Sequence, residues 1–176
     1  LRIRYQPDLN GMDMFIEKGE ENTRYLVIKT DNEDQEFLRY CIMRYYKKCT
    51  EKIAEKSLDY YTRKLDLSFN SFRVTGQNER TGKPRFPYIG FASKNIDINN
   101  QVTIWGSCSR KRNLKFDWKL SMLPREVIEY IVVHELTHLK ILNHSKGFWK
   151  EVESAMPAYA ECARWLSNHG REYEIF

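Results

Sequence analysis

The residues in this chain best suited to chemistry are two histidines four positions apart with a glutamate between them, His134-Glu135-Leu136-Thr137-His138. On a helix, positions four apart sit about 40° from each other around the axis and about 6 Å along it. Both imidazoles can then converge on one small cation. Glu135 is offset by about 100°, so its carboxylate can face a water on that cation without binding the cation. The pattern reads as a zinc site with a general base. Two histidines leave zinc short of a third protein ligand, and His144 is the nearest candidate. Had the helix continued to 144, that ring would lie roughly 120° off the metal-binding face and roughly 9 Å further along. A sharp turn just after Leu142 is therefore expected, with Asn143 able to take a left-handed conformation there.

Other third ligands are open to the sequence. Glu151 or Glu153 on a following helix could supply a carboxylate, and Cys108 on a preceding hairpin a thiolate. The spacing from His138 to His144 matches the metzincin pattern, but Ile141 stands where that pattern has glycine. The turn must therefore be built differently. His169, beside Gly170, reads as a surface cap at a helix end.

The chain that must position these groups has 176 residues, 41% hydrophobic and 30% charged. That suits one ordinary globular domain with a real core. No apolar run approaches the roughly 18 residues of a membrane span, and Leu1-Arg2-Ile3-Arg4 has no apolar signal core. Cys41, Cys49, Cys108 and Cys162 form no C-x-x-C pair and suggest no disulfide framework. They read as reduced thiols, which places the protein in the cytoplasm by compartment logic. The net charge of +5 permits an acidic or nucleic-acid partner without demanding one.

Residues 1–66 read as a β-rich start followed by a long helix. Arg2–Tyr5 and Arg24–Ile28 look like strands, and the helix opens near Thr30-Asp31-Asn32 and runs to about Leu65. Residues 67–176 carry a sheet and the motif helix. Ser71–Thr75 reads as a strand, and 76–98 as a long Pro-containing loop. Gln101–Trp105 and Leu114–Leu120 alternate as a β-hairpin, with Gly106 marking a bulge or a close backbone approach. The hairpin tip Arg110-Lys111-Arg112-Asn113 reads as a solvated turn, with phosphate contact the rival. The motif helix opens at Leu123-Pro124 and is apolar on much of its circumference, as expected of a central buried helix. Further helices cover Lys146 to about Met156 and Ala158 to about Ser167, the second closed by Gly170.

Several of these stretches together resemble one family. They are Trp105-Gly106-Ser107-Cys108-Ser109, Leu114–Leu120, Pro124, Val127–Leu139, Asn143-His144-Ser145 and Phe148-Trp149. The chain is similar over them to the YgjP-like metallopeptidases and, more loosely, to SprT-like proteases and their relatives, some of which act on DNA-linked proteins. The resemblance implies an α+β fold: a zincin-like core with a small antiparallel or mixed sheet packed on the central HExxH helix and further helices. It implies Zn2+ held by His134, His138 and His144, Glu135 as base, and a protein or peptide substrate, with a DNA-associated context and no membrane. By analogy with zincin proteases, the substrate would add as a strand along Val102–Trp105, with Trp105, Gly106 and Ser107 as candidate contacts. Ile104 stands where the family usually has Arg, and 76–98 looks like an insertion within a single domain spanning 1–176. A small-amide zinc hydrolase using Cys108, and a non-catalytic zinc-stapled DNA- or protein-binding module, are the rival functions.

Overall fold

The computed structural model describes residues 2–8, 12–21, 23–75 and 105–173. The expected loop over 76–98 and the strand residues 101–104 lie outside that set. The fold is α+β, with four α-helices and two small mixed sheets among the described residues. It divides into two compact units, Leu1–Tyr45 and Tyr46–Phe176.

The first unit holds a three-stranded sheet. Its strands are β1 (Arg2–Pro7), β2 (Asp13–Lys18) and β3 (Arg24–Thr30), in the order β1-β3-β2. β3 is central, parallel to β1 and antiparallel to β2. Its Leu26, Val27 and Ile28 are all buried, as is usual for a strand covered on both faces. The sequence reading did not find β2. Its Met14-Phe15-Ile16 run is largely exposed, so burial leaves no alternation to read. The long helix α1 covers Gln35–Leu65 and begins a few residues later than expected. The Asp34 carboxylate accepts a hydrogen bond from Phe37 N at 2.9 Å, the capping geometry that fixes its start.

The second unit contains the C-terminal half of α1, then β4 (Ser71–Thr75), β5 (Gly106–Cys108) and β6 (Asn113–Asp117). The strand order is β4-β6-β5, with β4 parallel and β5 antiparallel to β6. The expected strand through Leu120 stops at Asp117. There the Asp117 carboxylate accepts from Lys119 N at 2.9 Å and opens a 3-10 turn over Trp118–Met122. That turn reverses the expected exposure of Lys119, which is fully buried between Trp118 and Leu120. Its ammonium lies 5.7 Å from the centre of the Trp105 ring. Thr50 of α1 holds the turn from the other side: its hydroxyl donates to Trp118 O at 2.7 Å and accepts from Ser121 N at 3.1 Å.

Three helices follow: α2 (Arg125–Thr137), α3 (Lys146–Ala155) and α4 (Tyr159–His169). Pro124 precedes the first helical residue of α2, where a missing N–H costs nothing. Most of α2 is buried, including Val127, Ile128, Ile131, Val132, Val133 and Leu136. It lies in one core with Leu58, Leu114, Phe116, Phe148 and Val152. Gly170 caps the C-terminal end of α4 as expected, in right-handed backbone. Its φ is −57°, and the chain runs on into a 3-10 turn, Gly170–Tyr173. The four cysteines are free. Among the described residues no helix is long and apolar enough to cross a membrane.

Candidate metal centre

α2 carries His134 and His138 one turn apart at its C-terminal end. The helix stops earlier than the sequence suggested. It ends at Thr137, whose hydroxyl donates back to Val133 O at 2.8 Å, a bond that loosens the helical ladder. The chain then tightens: Leu139 N reaches Leu136 O, and Lys140 N and Ile141 N both reach Thr137 O, each at 3.0 Å. Asn143 is not in the left-handed region, which among the described residues other than glycine holds Glu21, Asp66 and Arg112. The chain turns at 138–140 and bends again at Leu142 and Asn143, where the turn was expected, but without left-handed backbone. The result is the expected one: His144 swings back over the helix end.

The three rings meet. Their ring centroids are 4.8 to 4.9 Å apart in every pairing. One donor nitrogen from each of His134, His138 and His144 lies within 4.8 Å of the others, a grouping that could hold a metal ion. His144 Nε2 is 2.9 Å from His134 Nε2. A tetrahedral zinc with bonds of about 2.0–2.1 Å separates its nitrogens by roughly 3.3 Å, so these two nitrogens must part by a few tenths of an ångström to seat an ion. His138 Nδ1 lies 3.1 Å from Ile141 O. With Nδ1–H donating to that carbonyl, Nε2 keeps its lone pair for a cation. His134 Nδ1 is buried without a hydrogen-bond partner.

The electrostatics suit ligands as well. Burial, and then the neighbouring His138 and His144, push the His134 imidazole down to about 4. Burial also lowers His138, and His144 adds to the effect against the opposing Ile141 carbonyl. Neutral rings offer lone pairs where imidazolium rings offer none. Three imidazoles of this kind fit a zinc-type ion by donor chemistry.

The sequence did not reveal what holds the third ring. His144 is exposed, yet it stacks on Trp149 at 5.8 Å and 28°, and Trp149 stacks on Tyr159 of α4 at 5.6 Å and 20°. Phe148 packs on all three imidazoles at 4.6 to 4.9 Å between ring centroids. The apolar face read for α3 is thus also the wall of the site. No local pattern could have announced Tyr159, because its role depends on how α4 returns to α3.

Glu135, between the two helical histidines, is buried at 6% exposure. Burial alone raises its carboxyl to about 7. Its neighbour is Gly106: a Cβ there would stand 2.7 Å from Glu135 Cγ and 3.0 Å from Oε1. The close approach flagged at Gly106 is therefore to this side chain. Of the other candidates, Trp105 is buried and Ser107 half-buried on β5, the outer strand of the sheet. Cys108 is on that strand too, its thiol 3.6 Å from Ser109 O and outside the three-nitrogen group. Glu151 pairs with Lys140 at 3.3 Å, and His169 with Glu172 at 3.0 Å.

Residues 86–169 match the YgjP-like metallopeptidase domain. The stretch takes in β5, β6, α2, α3, α4 and the three imidazoles, so the resemblance read from the motifs is shown over this part of the chain. A match to a metallopeptidase domain points to a metal-dependent peptidase, and so to protein or peptide substrates. Neither the curated proteins nor the solved structures contain a match to the chain.

Proposed function

We propose that this chain hydrolyses peptide bonds at a zinc ion held by His134, His138 and His144, with Glu135 as general base. The observation that carries the reading is the convergence of three imidazole nitrogens within 4.8 Å inside a segment matching a metallopeptidase domain. A bound zinc would supply Lewis acidity, lowering the pKa of a water and polarising the scissile carbonyl. The protein supplies the rest. Glu135 accepts the proton that the attacking water loses and passes it to the leaving nitrogen as the C–N bond breaks. A carboxyl raised to about 7 is well matched to both halves of that transfer near neutral pH. Gly106 leaves room for the carboxylate, and β5 offers its outer edge to an extended substrate beside it. Trp105 and Ser107 flank that edge as substrate contacts. The cytoplasmic placement rests on the cysteine usage read from the sequence.

The test is Glu135→Gln. The zinc-loaded variant should keep one ion per chain and lose peptide hydrolysis by about 10²–10⁴-fold. Cleavage of a proteome-derived peptide library at the parent rate would remove Glu135 from the mechanism. His144→Ala against Cys108→Ala, compared by zinc content, separates this reading from the small-amide hydrolase. Zinc lost only in the cysteine variant would favour the rival.

A further inference from the structure

The β4–β6–β5 sheet has a second face that peptide hydrolysis does not use. Its inner side carries Phe72, Val74, Leu114 and Phe116, the last three buried. Residues of opposite parity face outward, and two of them, Arg73 and Lys115, are exposed and directly paired between β4 and β6. Like charges opposite each other on adjacent strands repel. The β5–β6 turn adds exposed Arg110 and Lys111. These four cations, with Ser71 and Asn113, line a groove of about 530 Å³.

Among the described residues, nothing in the groove neutralises this charge. It is lined by no carboxylate, and among the described residues none of the four cations makes an ion pair. Glu51 and Glu55 border Arg73 from an adjoining groove without pairing to it. Arg112, by contrast, is committed to the Ser68 carbonyl. Ser71 donates to Asn113 Oδ1 at 3.0 Å, which leaves the Asn113 amide N–H groups as outward donors. Gly106 abuts Glu135 from the inner side of the sheet, so the groove and the candidate metal centre are on opposite faces.

We propose that this face binds the phosphate backbone of duplex nucleic acid without reading sequence. A protein partner needs aromatic or apolar anchors in desolvated pockets. Among the described residues the groove has none: the one apolar residue lining it, Leu114, is fully buried. Single-stranded nucleic acid is held largely by bases stacking on aromatic side chains, and no aromatic residue among those described lines the groove. What it offers is an array of cations interleaved with hydroxyl and amide donors, the inventory that contacts duplex phosphates. The inference goes beyond the peptidase reading and does not depend on it.

The test is fluorescence anisotropy with a random-sequence DNA duplex and the full chain. Four phosphate contacts predict a log K against log salt slope of about −3.6. Affinity should therefore fall about 150-fold between 50 and 200 mM salt. Arg73→Gln with Lys115→Gln should halve the slope, to about −1.8, and reduce the fall to about 12-fold. Arg110→Gln with Lys111→Gln, which touches only the turn, should do the same if the strand pair perturbs folding. A slope unchanged in both double variants, or no binding at 50 mM salt, overturns the proposal. So does tighter binding of a single strand, or of poly-glutamate, at matched salt.

Discussion

At the scale of single residues, the site sets two buried groups against each other. Burial raises Glu135 to about 7 and, with help from its neighbours, lowers His134 to about 4. A carboxyl with a raised folded pKa destabilises the protein once ionised, so its penalty grows from about pH 4.5 and is complete above about 7. An imidazole with a lowered folded pKa destabilises when protonated, so its penalty grows as pH falls from about 6.5 and is complete below about 4. At mildly acid pH the two penalties add while their pH slopes oppose, one falling as the other grows, which hides both in the pH profile of the parent. Glu135→Gln removes one of them. In the metal-free protein it should therefore raise stability by ~3 kcal/mol at pH 8 and by little at pH 4.5. Urea melts of parent and variant at the two pH values measure the difference, and a variant no more stable at pH 8 would contradict the burial cost assigned to the carboxylate. Gly106 makes the companion prediction. Its substitution by Ala drives a methyl to 2.7 Å from Glu135 Cγ. Overpacking of this kind costs about 1–3 kcal/mol, and the displaced carboxylate should lower kcat with zinc content unchanged. A Gly106→Ala enzyme with parental kcat would show that the contact does not position the base.

At the scale of elements, the site depends on how two helices end and begin. Thr137 closes α2 early, and the tight turns that follow place the Ile141 carbonyl against His138 and His144 over the helix end. The third ring then rests on Trp149 and, through it, on Tyr159. Removing such an outer support of a metal ligand costs about 10–100-fold in affinity. Trp149→Leu should therefore weaken zinc binding by about that factor and leave the far-UV spectrum of the metal-free protein as it was. A competition titration against a chromophoric chelator reads the change, and an unaltered affinity would mean the ring is held without the column. This geometry also shows where sequence reading works and where it fails. The pairing of His134 with His138 follows from helical period alone, so it was legible. His144 was legible as the nearest remaining imidazole, and the need for a turn before it was too, but how that turn is built was not. That turn uses a threonine back-bond and ordinary backbone, where Asn143 had suggested a left-handed residue. Lys119 alternates outward on paper, and only the Asp117 cap shows why it is buried. β2 was missed because its apolar residues stay exposed and it is defined by pairing with β3.

At the scale of the whole molecule, each compact unit has buried residues of its own among those described. Leu26, Val27, Ile28, Cys41 and Ile42 are buried in the first unit, and the cluster around α2 draws all its members from residue 53 onward. Every group in the candidate metal centre belongs to the second unit. An ion bound only by the folded form stabilises it by about 2.7 kcal/mol at a free concentration 100 times Kd. Because coupling is carried by packed contacts, that gain should appear where the ligands' core is continuous. Hydrogen exchange with and without saturating zinc should slow for amides of Arg125–His169, and of Asn113–Asp117 that pack in the same core. Amides of Arg24–Thr30, whose buried side chains lie in the other core, should exchange at an unchanged rate. His144→Ala should abolish the slowing throughout. Equal protection of both units on adding zinc would mean that the chain opens as one cooperative body, and the division of its core into two would then have no energetic meaning.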